Sequence, residues 1–503
     1  MATFHSNWNC LIPIEDQYKT RYGAARTSQP EFGNRTWSKH MHQKHLLFLA
    51  VLAALSGHAL AAEESSVPPG SDGPALKGTG QTIPESDVYD LLTKSETTLS
   101  ALYYGRDRQE KQPNNSNGGD IRVNALNLGL NFKSGYAWDK LGFDAAAHAS
   151  LRLSKGIGFS EVLYHDYNDV SDPAEGGGGR DKSDAVLSQA ALKFRQNPDG
   201  QGFSARAGYT PISIGAMGTS GGLQSHSYRG VEAKYKIGDF ELGYGWADQF
   251  RNEWDNRFRD MTNSWEQGRS NGSNPGKIKY VNSIGFRYAP ENAFVDIGFG
   301  EGKDYRRTAQ IAGSYTWKLS GGDTLTGVGY YFQGKDEAPL GLKNSQTASH
   351  ASASITYATG GLSLMAGLGK SRNPDGGEVN FRLTPYGNSD NRNFIQTWGQ
   401  DDDFVWDGTR VMKLGVSYDF SKQGLPGFSV GASGNYATGL KNPNGAPDSK
   451  AHEIDLSASY SVQSGWLKGA SIGVYPAWYR SGDFYGKKDR NDVKVIASYS
   501  KTF

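Results

Sequence analysis

Residues Leu141–Leu153 read LGFDAAAHASLRL, and their rhythm decides the fold. Leu141, Phe143, Ala145, Ala147, Ala149, Leu151 and Leu153 fall on one side of a two-residue repeat. Asp144, His148, Ser150 and Arg152 share the other with small residues. Successive side chains of a strand point to opposite faces, so this pattern specifies a strand with one apolar and one polar face. The same period recurs in Leu126/Leu128/Leu130/Phe132 and in Phe240/Leu242/Tyr244/Trp246. It returns in Ala309/Ile311/Gly313/Tyr315/Trp317/Leu319 and in Met412/Leu414/Val416/Tyr418/Phe420. A soluble sandwich would pack its second face into a core. Here that face is too polar and too rich in glycine, which fits a water-filled lumen.

Working outward, the links between these runs alternate short and long. Tight turn sequences stand at Asn197-Pro198-Asp199-Gly200, Gly238-Asp239, Pro290-Glu291-Asn292, Ser320-Gly321-Gly322-Asp323 and Thr359-Gly360-Gly361. Long polar stretches lie between them at 154–184, 215–227, 253–277, 334–346, 371–410 and 437–450. Segregation by parity is the habit of outer-membrane barrels, with short periplasmic turns and long outer loops. The segmentation predicts an all-β fold: a transmembrane antiparallel β-barrel of about eighteen strands, with sixteen the other even number open to it.

Composition agrees. The 503 residues include 65 Gly, 27 Tyr, 22 Phe and 11 Trp. No stretch approaches the length of a membrane-spanning helix, so a membrane location must rest on strands. Met41 opens a signal peptide over 41–61. His42, Lys44 and His45 precede the apolar run Leu46–Leu55, and Ala59-Leu60-Ala61 supplies the cleavage site before Ala62. Residues 1–40 have no periodicity and read as an extension from a start codon assigned too far upstream, or as a genuine long leader. Residues 62–94 read as a flexible periplasmic segment, Pro-, Gly- and Ser-rich as far as Glu85, and 95–503 as the barrel. Of 53 Lys and Arg against 52 Asp and Glu, residues 1–61 hold six and three, leaving 47 against 49, or −2. That balance gives no basic face for nucleic acid. Cys10 is the single cysteine and precedes the signal peptide, so the exported chain has no thiol chemistry or disulfide.

The chain ends in Phe503 after an alternating strand, the kind of terminus read by the outer-membrane assembly machinery. Lys501 departs from the apolar residue usual two places earlier. Several further stretches resemble the OprD-type outer-membrane porins and, within them, most closely the monomeric chitoporins of enteric bacteria. They are LSALYYGRDRQ (Leu99–Gln109), FKSGYAWDKLGFDAAAHASL (Phe132–Leu151) and ALKFRQ (Ala191–Gln196). Ser204–Tyr235, YDFSKQGLPGFSVGAS (Tyr418–Ser433) and NDVKVIASYSKTF (Asn491–Phe503) complete the set. Their order and spacing carry the resemblance, from roughly Leu99 to Phe503.

The resemblance implies a monomeric porin whose third outer loop, about Pro211–Arg229, folds inward and narrows the pore. Ser220, His226, Tyr228 and Arg229 would then stand at the constriction. It also implies a basic ladder on the lumen wall, for which Lys193, Arg195, Arg206, Lys234 and Lys236 are candidates. An ordinary solvated charge is the competing reading for each. The loop sequence PISIGAMGTSGGLQSHSY (Pro211–Tyr228) contains no carboxylate, which counts against a cationic solute, although Glu232 or Glu241 could project from the opposite wall. Trp254 and Trp265 interleave with charges in one predicted outer loop, and Trp398 and Trp406 flank the acidic run Asp401–Asp403 in another. Such surfaces suit the C–H faces and hydroxyls of a sugar, whereas aromatic girdles and self-packed loops are the plainer reading.

Nucleophile and phosphate motifs fail on context. Gly218-Thr219-Ser220-Gly221-Gly222 matches G-x-S-x-G, but no helix follows. Gly367-Leu368-Gly369-Lys370-Ser371 lacks the first glycine of a phosphate loop, since Leu364 stands there. No metal, cofactor or enzyme activity is expected. The expected partners are outer-membrane lipid, lipopolysaccharide, the barrel-assembly machinery and small hydrophilic solutes. By resemblance the solutes are chitooligosaccharides or similar oligosaccharides, with small organic anions or amino acids as the alternative. The location is the outer membrane of a Gram-negative bacterium.

Overall fold

The computed structural model describes residues 88–111, 120–154, 156, 162–165, 181–218, 223–224, 226–263, 276–384, 394–442, 446–482, 484 and 488–503. The signal peptide, residues 1–40 and most of the expected periplasmic segment lie outside them, as do Ser220 and Trp265.

Eighteen long strands form one closed antiparallel sheet. They are β1 (Glu96–Lys111), β2 (Ile121–Lys133), β3 (Leu141–Arg152), β4 (Asp184–Arg195), β5 (Gly202–Thr210) and β6 (Ser227–Ile237). Next come β7 (Phe240–Arg251), β8 (Val281–Tyr288), β9 (Ala293–Gly302), β10 (Arg306–Lys318), β11 (Thr324–Asp336) and β12 (Ala348–Thr359). The last six are β13 (Leu362–Arg372), β14 (Arg410–Asp419), β15 (Phe428–Leu440), β16 (Ser449–Ser461), β17 (Ser471–Arg480) and β18 (Asp489–Thr502). Each pairs with its neighbours in sequence, and β18 returns to β1 from Thr98↔Thr502 to Lys111↔Asp489. Closure removes the unpaired edge that no strand can expose to lipid.

The strands form because their alternation satisfies two solvents at once. Residues of the expected apolar faces point outward and stay exposed, among them Leu242, Tyr244, Ile311, Trp317, Met412 and Leu414. Phe240 stacks on Tyr288 at 4.5 Å, and Tyr418 meets Phe420 edge-on, so aromatic rings collect at the short-turn end. The turns Gly238-Asp239 and Gly360-Gly361 connect their strands with two residues each, and Gly238 and Gly360 both take φ 56°. Left-handed backbone is what a two-residue hairpin requires, and glycine reaches it without strain. Both ends of the barrel chain and all eight short links share one rim; nine links occupy the other. Residues 303–305 break the parity rule, joining β9 to β10 at the long-loop rim with only three residues. Turns 134–140, 420–427 and 462–470 complete the short rim. Just before β1, Asp90–Thr93 forms one helical turn whose backbone lies against Gly135.

Candidate functional site: a lumen lined by inward loops

The packed interior of this barrel is built where loops fold onto the inner wall. The third loop does so as expected. Ile212, Ile214, Ala216 and Met217 are buried, and Gly215 turns the chain at φ 52° between reciprocal bonds joining Ile214 and Met217. The wall beneath carries two transverse rows of small residues: Gly243–Gly285–Gly298 and Gly245–Ser283–Gly300, each in register across β7, β8 and β9. Added methyl groups would collide with the loop. One on Gly243 would stand 2.5 Å from Ile214 Cδ1, and one on Gly300 2.7 Å from Ala216 Cβ. The rows are thus a bed that lets backbone approach backbone. Polar contacts fix the loop there. Ala216 N donates to Ser283 Oγ at 2.9 Å, Gln310 Nε2 to the Gly215 carbonyl at 2.9 Å, and Ser213 N to Glu232 Oε2 at 3.1 Å.

A second inward segment was not expected. In the link between β13 and β14, Val379, Phe381, Ile395 and Val405 pack against Ala312, Tyr330, Phe332 and Ala348 of the inner wall. Leu383 reaches the third loop's bed beside Gly300. Residues 394–402 then follow the wall round. Gln396 accepts from Ser354 Oγ, the Trp398 carbonyl accepts from Lys413 Nζ, and Glu453 carboxylate oxygens accept from the Asp401 and Asp402 amides at 2.7 and 3.0 Å. The segment ends against β18 and β1. Arg490 donates to the Asp401 carbonyl at 3.3 Å, and Arg106 reaches the Asp401 carboxylate at 3.4 Å while pairing with Asp492 at 2.8 Å. The acidic run placed in a predicted outer loop is instead tucked inside: Asp401 and Asp402 are buried. Burial pushes the Asp401 carboxyl up to about 7, with the Asp492 carboxylate adding to the push and Arg106 opposing it. Val162 and Leu163 similarly cover the inner faces of β1 and β2.

The candidate basic residues stand on the lower wall of β4, β5 and β6, and carboxylates accompany them. Lys193 pairs with Asp144 at 2.7 Å, and Arg206 with Glu232 at 2.7 Å. Lys234 lies 3.6 Å from both Glu232 and Glu241. Arg195 stacks 3.8 Å over the Tyr136 ring at the short-turn rim, and Lys236 is exposed near it. Two strands on, Arg287 pairs with Asp296 at 2.9 Å. This is a mixed-charge wall, and Glu232, held by Arg206 and by the Ser213 amide, sits behind the third loop.

Other candidate residues need correction. Arg229 follows the outward alternation with Val231, and its guanidinium grips Asp248 at 2.5 Å, so it does not line the constriction. His226 and Tyr228 do face inward but are buried. Tyr228 donates to the Gly218 carbonyl, and His226 lies between Phe250 and Trp254. Trp254 keeps 3% of its surface exposed and offers no face to a sugar. Trp398 and Trp406 are half-buried on the inner side, Trp406 edge-on to Phe484 at 4.8 Å. The sequence reading missed a charged cluster at the barrel seam: Arg106 and Arg108 of β1 with Arg490 and Lys494 of β18, all inward, accompanied by the carboxylates of Glu110, Asp492 and Asp401. Its signal was present, since Arg106 and Arg108 occupy alternate positions on one face of β1, as Arg490, Asp492 and Lys494 do on β18.

Comparison with known proteins bears directly on this architecture. The model of the family described as outer membrane porin, OprD family, matches residues 93–503. The chitoporin of Escherichia coli is 26% identical over 462 residues, spanning 83% of this chain and 94% of that one. Among solved structures, Pseudomonas aeruginosa OpdK with vanillate superposes with a TM-score of 0.68 at 19% identity, over 82% of this chain and all of OpdK. Acinetobacter baumannii OccAB1 gives a TM-score of 0.70 at 16% identity, over 84% and 99%. With a closed wall, inward loops and a family match across the whole barrel, this chain belongs to the OprD family of outer-membrane porins.

Proposed function

We propose that the channel passes small hydrophilic solutes passively and prefers neutral ones, short oligosaccharides of the chitooligosaccharide type foremost. The observation that carries this reading is charge balance along the path. The described part of the third loop has no carboxylate, and the wall charges near it are paired as Arg206–Glu232–Lys234–Glu241 and Arg287–Asp296. Opposite charge at a narrowing favours an ion by offsetting its lost hydration, and a balanced wall offers that advantage to neither sign. The chitoporin relative supports the sugar class. In planar bilayers, micromolar chitohexaose should interrupt the single-channel current while arginine leaves it undisturbed. Uninterrupted current in chitohexaose would reject the substrate.

The second reading, small organic anions such as aromatic carboxylates, or amino acids, draws on the seam cations Arg106, Arg108, Arg490 and Lys494. Reversal potentials in a salt gradient separate the two. The neutral-solute reading expects weak ion selectivity, and the anion reading expects clear preference for chloride.

A further inference from the structure

On the outer surface of the barrel, three cations stand in one transverse row at the long-loop rim. Lys370 of β13 is directly opposite Arg410 of β14. Arg410 is opposite Thr438 of β15, and Thr438 is opposite Lys450 of β16. All three cations are exposed, while their inward neighbours Ser371, Val411 and Ala451 are buried. One step toward the membrane centre the register reads Leu368–Met412–Tyr436, all exposed, with Leu368 at 64%. A band of cations therefore caps an apolar band on the same face. At an interstrand spacing of about 4.8 Å the row is about 15 Å long.

Two features argue against ordinary interfacial anchoring. Like charges directly opposite each other in a sheet are destabilising, and Lys370 with Arg410 is such a pair. Neither they nor Lys450 form an ion pair with a carboxylate among the described residues, although carboxylates partner many other basic residues of the barrel. The row is therefore open to an external anion. The rim with long loops is the outer-leaflet side of such barrels. An anion there that also covers the apolar band must carry acyl chains.

We propose that Lys370, Arg410 and Lys450 form a binding site for a phosphorylated glycolipid of the outer leaflet. The phosphates would lie along the cation row, and the acyl chains would run down Leu368, Met412 and Tyr436. Guanidinium and ammonium groups hold phosphate by charge-assisted hydrogen bonds, Arg in bidentate fashion.

Native mass spectrometry of the detergent-solubilised full barrel, titrated with diphosphorylated lipid A, tests the site. The triple variant K370A/R410A/K450A should bind at least tenfold more weakly than the unaltered protein. A charge-matched control at the opposite rim, K318A/K422A/K468A, should bind normally. Lipid A stripped of its phosphates should bind the unaltered protein at least tenfold more weakly. Should the triple variant fail to fold, the single R410Q variant reports the same loss in smaller measure. Equal binding by the folded row variant, equal weakening in the control, or indifference to the phosphates would overturn the proposal.

Discussion

Gly298 of the wall and Gly215 of the inward loop stand backbone to backbone, so close that a methyl group on Gly298 would lie 2.5 Å from the Gly215 Cα. The wall strand is held by ladder bonds on both sides, whereas the loop is held by a few hydrogen bonds and its buried apolar side chains. A Gly298→Val substitution should therefore displace the loop toward the pore axis. Single-channel conductance should fall, and overpacking should cost about 1–3 kcal/mol of stability. Unchanged conductance in a normally folded variant would contradict this placement of the loop.

Glu232 balances Arg206 and Lys234 on the lower wall. Glu232→Gln keeps the shape and leaves the two cations in excess. Chloride permeability relative to potassium should rise roughly twofold, since wall charge sets which ion enters a narrow path. Reversal potentials in a potassium chloride gradient provide the measurement, and an unaltered ratio would show that this pair does not face the permeating ions.

Trp398 and Trp254 should separate sugar contact from packing. Trp398→Ala should weaken chitohexaose interruption about fivefold, the equivalent of ~1 kcal/mol of stacking. Trp254 is buried, so Trp254→Ala should cost about 3–5 kcal/mol in stability and leave sugar affinity in the folded channel unchanged. The reverse pattern, with Trp254 governing affinity, would contradict the assignment.

Asp401 ties the second inward segment to the seam, and its carboxyl is raised to about 7. A raised pKa means that the folded protein holds this proton more tightly than the unfolded chain. The stabilisation is therefore greatest at low pH and is lost as pH rises toward and through about 7. Current noise from movement of this segment should grow between pH 5 and pH 8. Asp401→Asn, which imitates the protonated form, should remove that dependence; noise with the same pH profile in the variant would rule Asp401 out.

Much of this architecture was legible because a barrel strand meets two solvents and records both in alternating residues. Leu242, Trp317 and Leu414 lie on the lipid face as the repeat implies, and glycine-rich turns such as Gly360-Gly361 mark strand ends. Turn 134–140 was hidden because Trp138 and Asp139, not glycines, take its left-handed positions at φ 51° and 57°. Arg229 was misjudged although its face was legible: it shares the odd positions of the exposed Val231, Tyr235 and Ile237, opposite to Glu232, Lys234 and Lys236, and the extra residue of the nearby bulge, Asp248, lies on β7. The second inward segment left no local trace. Its anchors, Arg106, Glu453 and Arg490, lie far from Asp401 in sequence and meet it only once the barrel closes.

The central claim is a closed wall with lipid outside and a solute path within, and proteoliposome swelling tests it most directly. Vesicles loaded with impermeant dextran and carrying the purified protein, diluted into isotonic short N-acetylglucosamine oligomers, should swell faster than in isotonic arginine. Protein-free vesicles should not swell. Folded, membrane-inserted protein that admits neither solute would contradict the account.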